Sequence, residues 1–512
     1  LKAARESSVH ETNDPTLSGR PDLTYLLPMY EGLLYFDQYT DLQPMLATGW
    51  SANEAFTVWT IKLRQGVAFH KGGGEMTAKD VVHTWGQERR KDHFDARGAV
   101  WRALIDRIET PAGPDGYEVV FHLTKPEPIM LDYLSTNYTA VIRSKKRWDA
   151  AGGALADFQP NEAGIKVMQD DPTGTGPFKF LKRAEAQYIQ YESPGYKHWR
   201  ITPEFPELQI FFVPESSTRL AMLLTKEVHV AEIPRDLQRG TEAKGMKVLT
   251  GTTPAIRLVG FFGGNYLPSR PEYDPTTPVT NVKVREAMNL AINRAEINKV
   301  FFGGRAELMM QTHSHPKFPG WEVSWPERFE KAYGYDPARA KKLLAEAGYP
   351  NGFSITHHSY PRPGLPEMQD IAELINGYWR AIGIDTKFEP IEDARHTALR
   401  RDYKTVRTVW LHTGSFTEPT RAIFVYHFEA GRFHGYDDQW FQEKYKALEA
   451  APTAKERDNL IREMGERCFQ IYCTIPLFWA PFEFMVNPEV VSEWKTPGVF
   501  SLRDYEHAKA AR

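Results

Sequence analysis

Cysteine is nearly missing from this chain: of 512 residues, only Cys468 and Cys473 carry a thiol. Five positions apart at the end of a helical stretch, the two are expected to point to different faces, a poor placement for a disulfide. So low a count suits either redox compartment. Long apolar runs are missing too. The nearest, residues 475–486, is interrupted by Pro476, Pro481 and Glu483, and no run reaches the roughly 18 residues a membrane-spanning helix needs. Nor is there an excess of charge of one sign. A net charge of −3 excludes a strongly basic surface overall, and with it nucleic acid as the main partner.

The usual marks of catalysis are absent as well. No G-x-S-x-G elbow, Walker A loop or S-x-x-K motif appears, which agrees with a protein that binds rather than converts. Carboxylate pairs such as Glu392-Asp393 read as solvated faces. Sixteen histidines include the pair His357-His358 and the spacing His313-x-His315. An adjacent pair alternates faces on a strand, however, and no H-E-x-x-H helix or cysteine cluster supports it. The expectation is no metal site and no cofactor. At Leu1 there is no cationic-then-apolar leader, and a processed secretory protein and a trimmed chain read alike there.

What the chain does have is length and aromatic mass. At 512 residues it is long enough for two to four domains with substantial cores. Its 13 Trp, 23 Tyr and 29 Phe belong mostly to those cores, although such a surplus also suits a pocket for planar or sugar-like ligands. The most ordered set of signals lies between Tyr30 and Trp85. Pro44 to Ala47 reads as a short helical turn leading to Trp50. Thr57 to Arg64 alternates as a half-buried strand, with Trp59, Ile61 and Leu63 on one face. Gly72-Gly73-Gly74 forces a turn. Thr77-Ala78-Lys79-Asp80 reads as a capping box opening a helix through Val81, Val82 and Trp85. Residues 86–110 read as helix, and Glu118 to Leu123 as strand.

This order, with Tyr30-Glu31-Gly32-Leu33, Pro44, Leu46-Ala47, Trp50, Gly66-Val67, Phe69-His70 and Thr77-Ala78, resembles the family 5 solute-binding proteins of ABC importers. Lys71 stands where an Asp is usual. The likeness continues through Gly174-Thr175-Gly176-Pro177-Phe178, which lacks the third glycine and the following helix of a dinucleotide loop, and through the Val282–Ala287 stretch to the C-terminal region. It implies an α/β, periplasmic-binding-protein-like fold of two lobes around a ligand cleft. Lobe I would combine residues 1–30, 171–262 and 479–512, with an inserted subdomain at 31–170, and lobe II would span 263–478. It further implies a monomeric receptor, periplasmic or tethered outside the membrane as a lipoprotein. Its partners would be a small-molecule solute and the membrane permease subunits of the transporter.

The resemblance places ligand contacts at Gly19 and Arg20, at Trp101, at Trp479, and in the segment Trp410, His412, Thr413, Gly414, Ser415 and Phe416. Arg20 reads more readily as a solvated loop arginine, and Trp101 equally as a packed helix tryptophan. Residues 406–411 read as a strand entering an irregular loop that ends at Glu418-Pro419. Peptide-binding members often carry an aspartate in that loop for the peptide's α-ammonium; here the position holds Ser415, which cannot neutralise a buried charge. Neutral hydrogen-bonding groups beside aromatic faces suit a polyhydroxyl ligand, and Arg400, Arg401 and Arg407 nearby suit an anionic one such as an opine or phosphodiester. Both stand ahead of a standard peptide. A peptide or nickel-chelate receptor of the same family, and a secreted hydrolase acting on oligosaccharides, are the alternatives.

Overall fold

The computed structural model describes residues 1–6, 11–18, 22–36, 42–93, 97–127, 130–135, 140–153, 158–360, 365–415, 419–429, 431, 433–451, 453–494 and 505–512. The chain forms two compact units. One combines Leu1–Thr253 with Glu483–Arg512, and the other is Pro254–Phe482.

In the first unit, Lys2–Arg5 pairs in parallel with Glu207–Phe212 on one side and Val230–Ala231 on the other. Tyr188–Glu192 and Lys179–Ala184 extend this sheet as an antiparallel hairpin. Alternate burial along Glu207–Phe212 is the period-2 pattern of strand side chains that point to opposite faces. A second sheet, of four antiparallel strands, has the order Ala47–Ala52, Val58–Leu63, Glu118–Leu123, Ile105–Glu109. Trp59, Ile61 and Leu63 enter its core as the alternation predicts. The helix Ala78–Glu88 packs on it, opened by reciprocal bonds between Thr77 and Asp80. That capping box satisfies backbone N–H groups that a helix start otherwise leaves unpaired.

Two local expectations in this unit are corrected. Residues 44–50 are not helical: Leu42–Pro44 and Ala47–Ala52 are both strands, and Trp50 faces Ile61 across the ladder. Residues 86–110 are not one helix either. They hold the end of Ala78–Glu88, a separate helix Arg97–Leu104 and the strand Ile105–Glu109. Ile105 and Ile108, read as helix residues, pair instead with Leu123 and Phe121.

The second unit is built on Ser354–Ser359, parallel to both Asp385–Pro390 and Thr408–Ser415. Thr408–Ser415 runs antiparallel to 256–262. Helices Val282–Leu290, Pro337–Glu346 and Met368–Ala381 cover an apolar core that includes Val284, Met288, Leu344, Ile371, Ile375 and Trp379. Asn281, Asn293 and Asp336 cap their helices with side-chain bonds, as their positions in the sequence predict.

Here too the structure corrects the sequence reading twice. The segment expected to become an irregular loop after Leu411 stays extended to Ser415, because residues 256–262 supply a ladder partner for each position. And Cys468 and Cys473 form a disulfide. The helix Ala454–Gln470 stops, and Tyr472 adopts a left-handed φ of 52°. This folds the chain back so that the Cys473 N–H donates to the Cys468 carbonyl at 3.1 Å. The Cα atoms then lie 5.0 Å apart, inside the range a disulfide spans.

Candidate functional site

Two facing strands of the second unit carry the site. The ladder sets Arg257 opposite Gly414, Val259 opposite His412 and Phe261 opposite Trp410, so these six residues share one face of the sheet. Gly414 leaves room for the guanidinium, since a Cβ there would lie 3.2 Å from Arg257 Nη2. The helix Pro419–His427 lays Tyr426 over the same face. Its ring stacks on Phe261 at 4.7 Å, and Phe261 stacks in turn on Trp410 at 5.7 Å.

Arg257 is 4% exposed. Its Nη2 donates to the Tyr426 hydroxyl at 2.8 Å and its Nη1 to the Thr312 carbonyl at 3.4 Å, while the guanidinium carbon sits 4.9 Å from the Tyr426 ring centre. Nε has no protein partner, and no described carboxylate lies within ion-pair distance of the group. A buried cation held only by neutral groups is costly to the fold. Such a cost is met at sites where a ligand brings the missing charge.

Beside it, His412 receives hydrogen bonds at Nδ1 from the Tyr360 hydroxyl and, at 3.1 Å, from Arg400 Nη1. With Nδ1 accepting, its proton is on Nε2. Arg400 is fully buried and lies 4.0 Å over the Phe433 ring. Burial, then the Arg400 charge, holds His396 down at about 2, so its ring is neutral. The described residues of the site thus include two buried guanidiniums, Arg257 and Arg400, with imidazoles among them.

The sequence-derived positions distribute unevenly. Trp410, His412, Thr413 and Gly414 come together on Thr408–Ser415, with Trp410 fully buried between Phe261 and His396. Trp479, on the strand Thr474–Val486 of the same unit, meets His315 edge-on at 5.7 Å. Trp101 lies in the first unit, packed edge-on against Trp85 and Tyr133 in the core of the four-stranded sheet. Gly19, Arg20, Phe416 and the side chain of Ser415 lie outside the described residues. Of the three arginines near the segment, Arg400 turns inward while Arg401 and Arg407 are exposed. Sequence reasoning missed Arg257 and Tyr426. A signal was present for the first: Arg257 interrupts an otherwise apolar stretch from Ile256 to Phe262, and a charge inside a buried strand calls for a reason.

The architecture is that of a two-lobed periplasmic binding protein. The chain superposes on the ABC transporter-associated periplasmic binding protein DppA from Helicobacter pylori, solved with the peptide STSA. The TM-score is 0.72 at 23% identity, over 100% of this chain and 98% of that one. Within that class the sequence matches the bacterial extracellular solute-binding proteins, family 5, across residues 41–431. The chain belongs to that family. It is similar to the dipeptide-binding protein of Escherichia coli (strain K12), 28% identical over 419 residues that make up 77% of this chain and 72% of that protein. It is also similar to heme-binding protein A of Haemophilus influenzae, 28% identical over 379 residues, 70% of this chain and 64% of that protein, just under two thirds of its length. Both relatives are named as binding proteins, not as enzymes. Among the described residues no helix is long and apolar enough to cross a membrane.

Proposed function

We propose that this chain is the extracytoplasmic receptor of an ABC importer for a small solute bearing an anionic group, and that Arg257 receives that group. The two units act as lobes, with residues 31–170 an inserted subdomain of the first. Ligand stabilises a closed state by its differential affinity for that state, and the closed monomer is what the permease subunits recognise, whether the receptor is free in a periplasm or lipid-tethered. The observation that carries this reading is the buried Arg257 guanidinium, whose partners among the described residues are the Tyr426 hydroxyl and the Thr312 carbonyl and no carboxylate. A carboxylate or phosphodiester would supply charge-assisted bonds there. The neutral sugar reading is weaker, because Trp410, the aromatic expected to offer its face, is fully buried in a stack.

Titration calorimetry with an opine-type amino-acid–sugar conjugate, a phosphodiester, a dipeptide and a neutral oligosaccharide tests this. An anionic compound is expected to bind, and Arg257→Met to weaken it by about 2–5 kcal/mol, on the order of 30-fold or more. The same substitution leaves the unliganded protein as stable or more so, by up to about 4 kcal/mol, since it removes an uncompensated buried charge. Equal binding of a neutral oligosaccharide by both proteins would sink the anionic reading. Consumption of the bound compound would turn the case toward a hydrolase. A dipeptide bound as tightly as the anions would favour the ligand named for the Escherichia coli relative.

A further inference from the structure

Among the described residues, one cluster has the composition of a metal site and lies beside the face just described. His313, His427 and Cys468 place one donor atom each within 4.8 Å of one another, and all three are buried. The loop after residue 310 supplies His313, whose N–H is held by the Gln311 side chain at 2.7 Å. The end of Pro419–His427 supplies His427, and Ala454–Gln470 supplies Cys468. His427 Nδ1 lies 2.8 Å from the Tyr436 carbonyl. That bond requires the proton on Nδ1 and leaves the Nε2 lone pair facing His313 Nε2, which is 2.5 Å away. A ligating histidine is commonly fixed in this way, by a carbonyl on its far nitrogen. Both rings are buried, so a cation held between them would be shielded from water.

The third donor is locked. Cys468 is bonded to Cys473, and a disulfide sulfur is not the thiolate that binds a metal. We propose that His313, His427 and Cys468 bind one zinc-class divalent cation, and that the site opens when the Cys468–Cys473 disulfide is reduced. In the opening step a dithiol gives two electrons and two protons to the S–S bond, becoming a disulfide itself and leaving two protein thiols. The cation then displaces the Cys468 proton to solvent, while Cys473 remains a thiol. Tetrahedral bonds of about 2.0 Å to nitrogen and 2.3 Å to sulfur require the two imidazole nitrogens to separate by under about 1 Å. The thiolate has a second role. Arg257 donates to the carbonyl of Thr312, the residue before His313, and its positive charge opposes a dication, which the thiolate's negative charge offsets. This inference does not depend on the identity of the transported solute.

Cobalt(II) is the probe, because a cobalt–thiolate bond gives a charge-transfer absorption that nitrogen ligands do not. The intact protein is titrated with Co2+ before and after reduction by a dithiol that is removed anaerobically. The reduced protein is expected to take up one Co2+ per chain with the charge-transfer band, and the oxidised protein to show no band. Cys473→Ser, which frees Cys468 without any reductant, should bind in air. Cys468→Ser and His427→Ala should both lose the band. Absence of the band in both the reduced protein and Cys473→Ser overturns the proposal, as does its persistence in Cys468→Ser. If a variant fails to fold, the oxidised and reduced forms of the natural sequence decide alone.

Discussion

Glu88 and Arg143 form an ion pair with both side chains withdrawn from solvent. His93 adds a contact to the same carboxylate at 3.3 Å. Burial by itself raises the affinity of Glu88 for a proton, but the Arg143 guanidinium and the His93 bond outweigh it and hold the carboxyl at about 2. Because the folded value lies below the ordinary one of about 4.3, the pair's stabilisation is complete above pH ~4.3. It fades as the pH falls through about 2. Arg143→Met leaves a buried carboxylate without its main partner, and denaturant unfolding at pH 7 should register a loss of about 3–5 kcal/mol. The deficit should shrink in acid, as Glu88 in the variant takes up a proton. A deficit independent of pH would assign the cost to packing instead. Arg257 is the contrasting residue: a buried cation whose removal is expected to relieve the fold and damage binding. Neither role could be read from residue type alone. Each arginine stands in the sequence as a charge beside apolar residues, Arg257 within Ile256–Phe262 and Arg143 after Ala140-Val141-Ile142, and what separates them is whether a carboxylate arrives from elsewhere in the chain.

At the level of elements, local signals were legible and distant ones were not. The strand Val58–Leu63 and the capped helix after Thr77 were plain, because their alternation and capping chemistry lie within a few residues. Gly414-Ser415 looked like loop because nothing nearby shows that residues 256–262, some 150 positions upstream, bind them into a ladder. The disulfide was missed because it depends on a left-handed tyrosine, and Tyr472 carries no advance sign of that conformation. The Gly174–Phe178 segment shows a family signature acquiring a physical reason. Gly176 and Phe178 donate to the carbonyls of Met29 and Pro28 at 3.1 and 2.9 Å, and a Cβ at Gly176 would stand 2.5 Å from the Pro28 oxygen. Gly176→Ala should therefore cost about 1–3 kcal/mol by overpacking, readable as a lowered thermal midpoint. An unchanged midpoint would mean that residues 28–30 yield without cost.

For the whole molecule, capture by closure carries its own expectation. Saturating ligand should lower the radius of gyration in solution scattering, and saturation without compaction would rule the mechanism out. The chain's path between its units has a different consequence. It crosses once at Thr253–Pro254 and returns at Phe482–Glu483, and Met485 and Val486 then pair with Ala231 and Val230. A chain emerging from the ribosome has the whole of the second unit in hand before it makes the strand that closes the edge of the first. The unit begun first is thus completed last. Its first 253 residues must wait, with the edge at Val230–Ala231 open, through the synthesis of everything between.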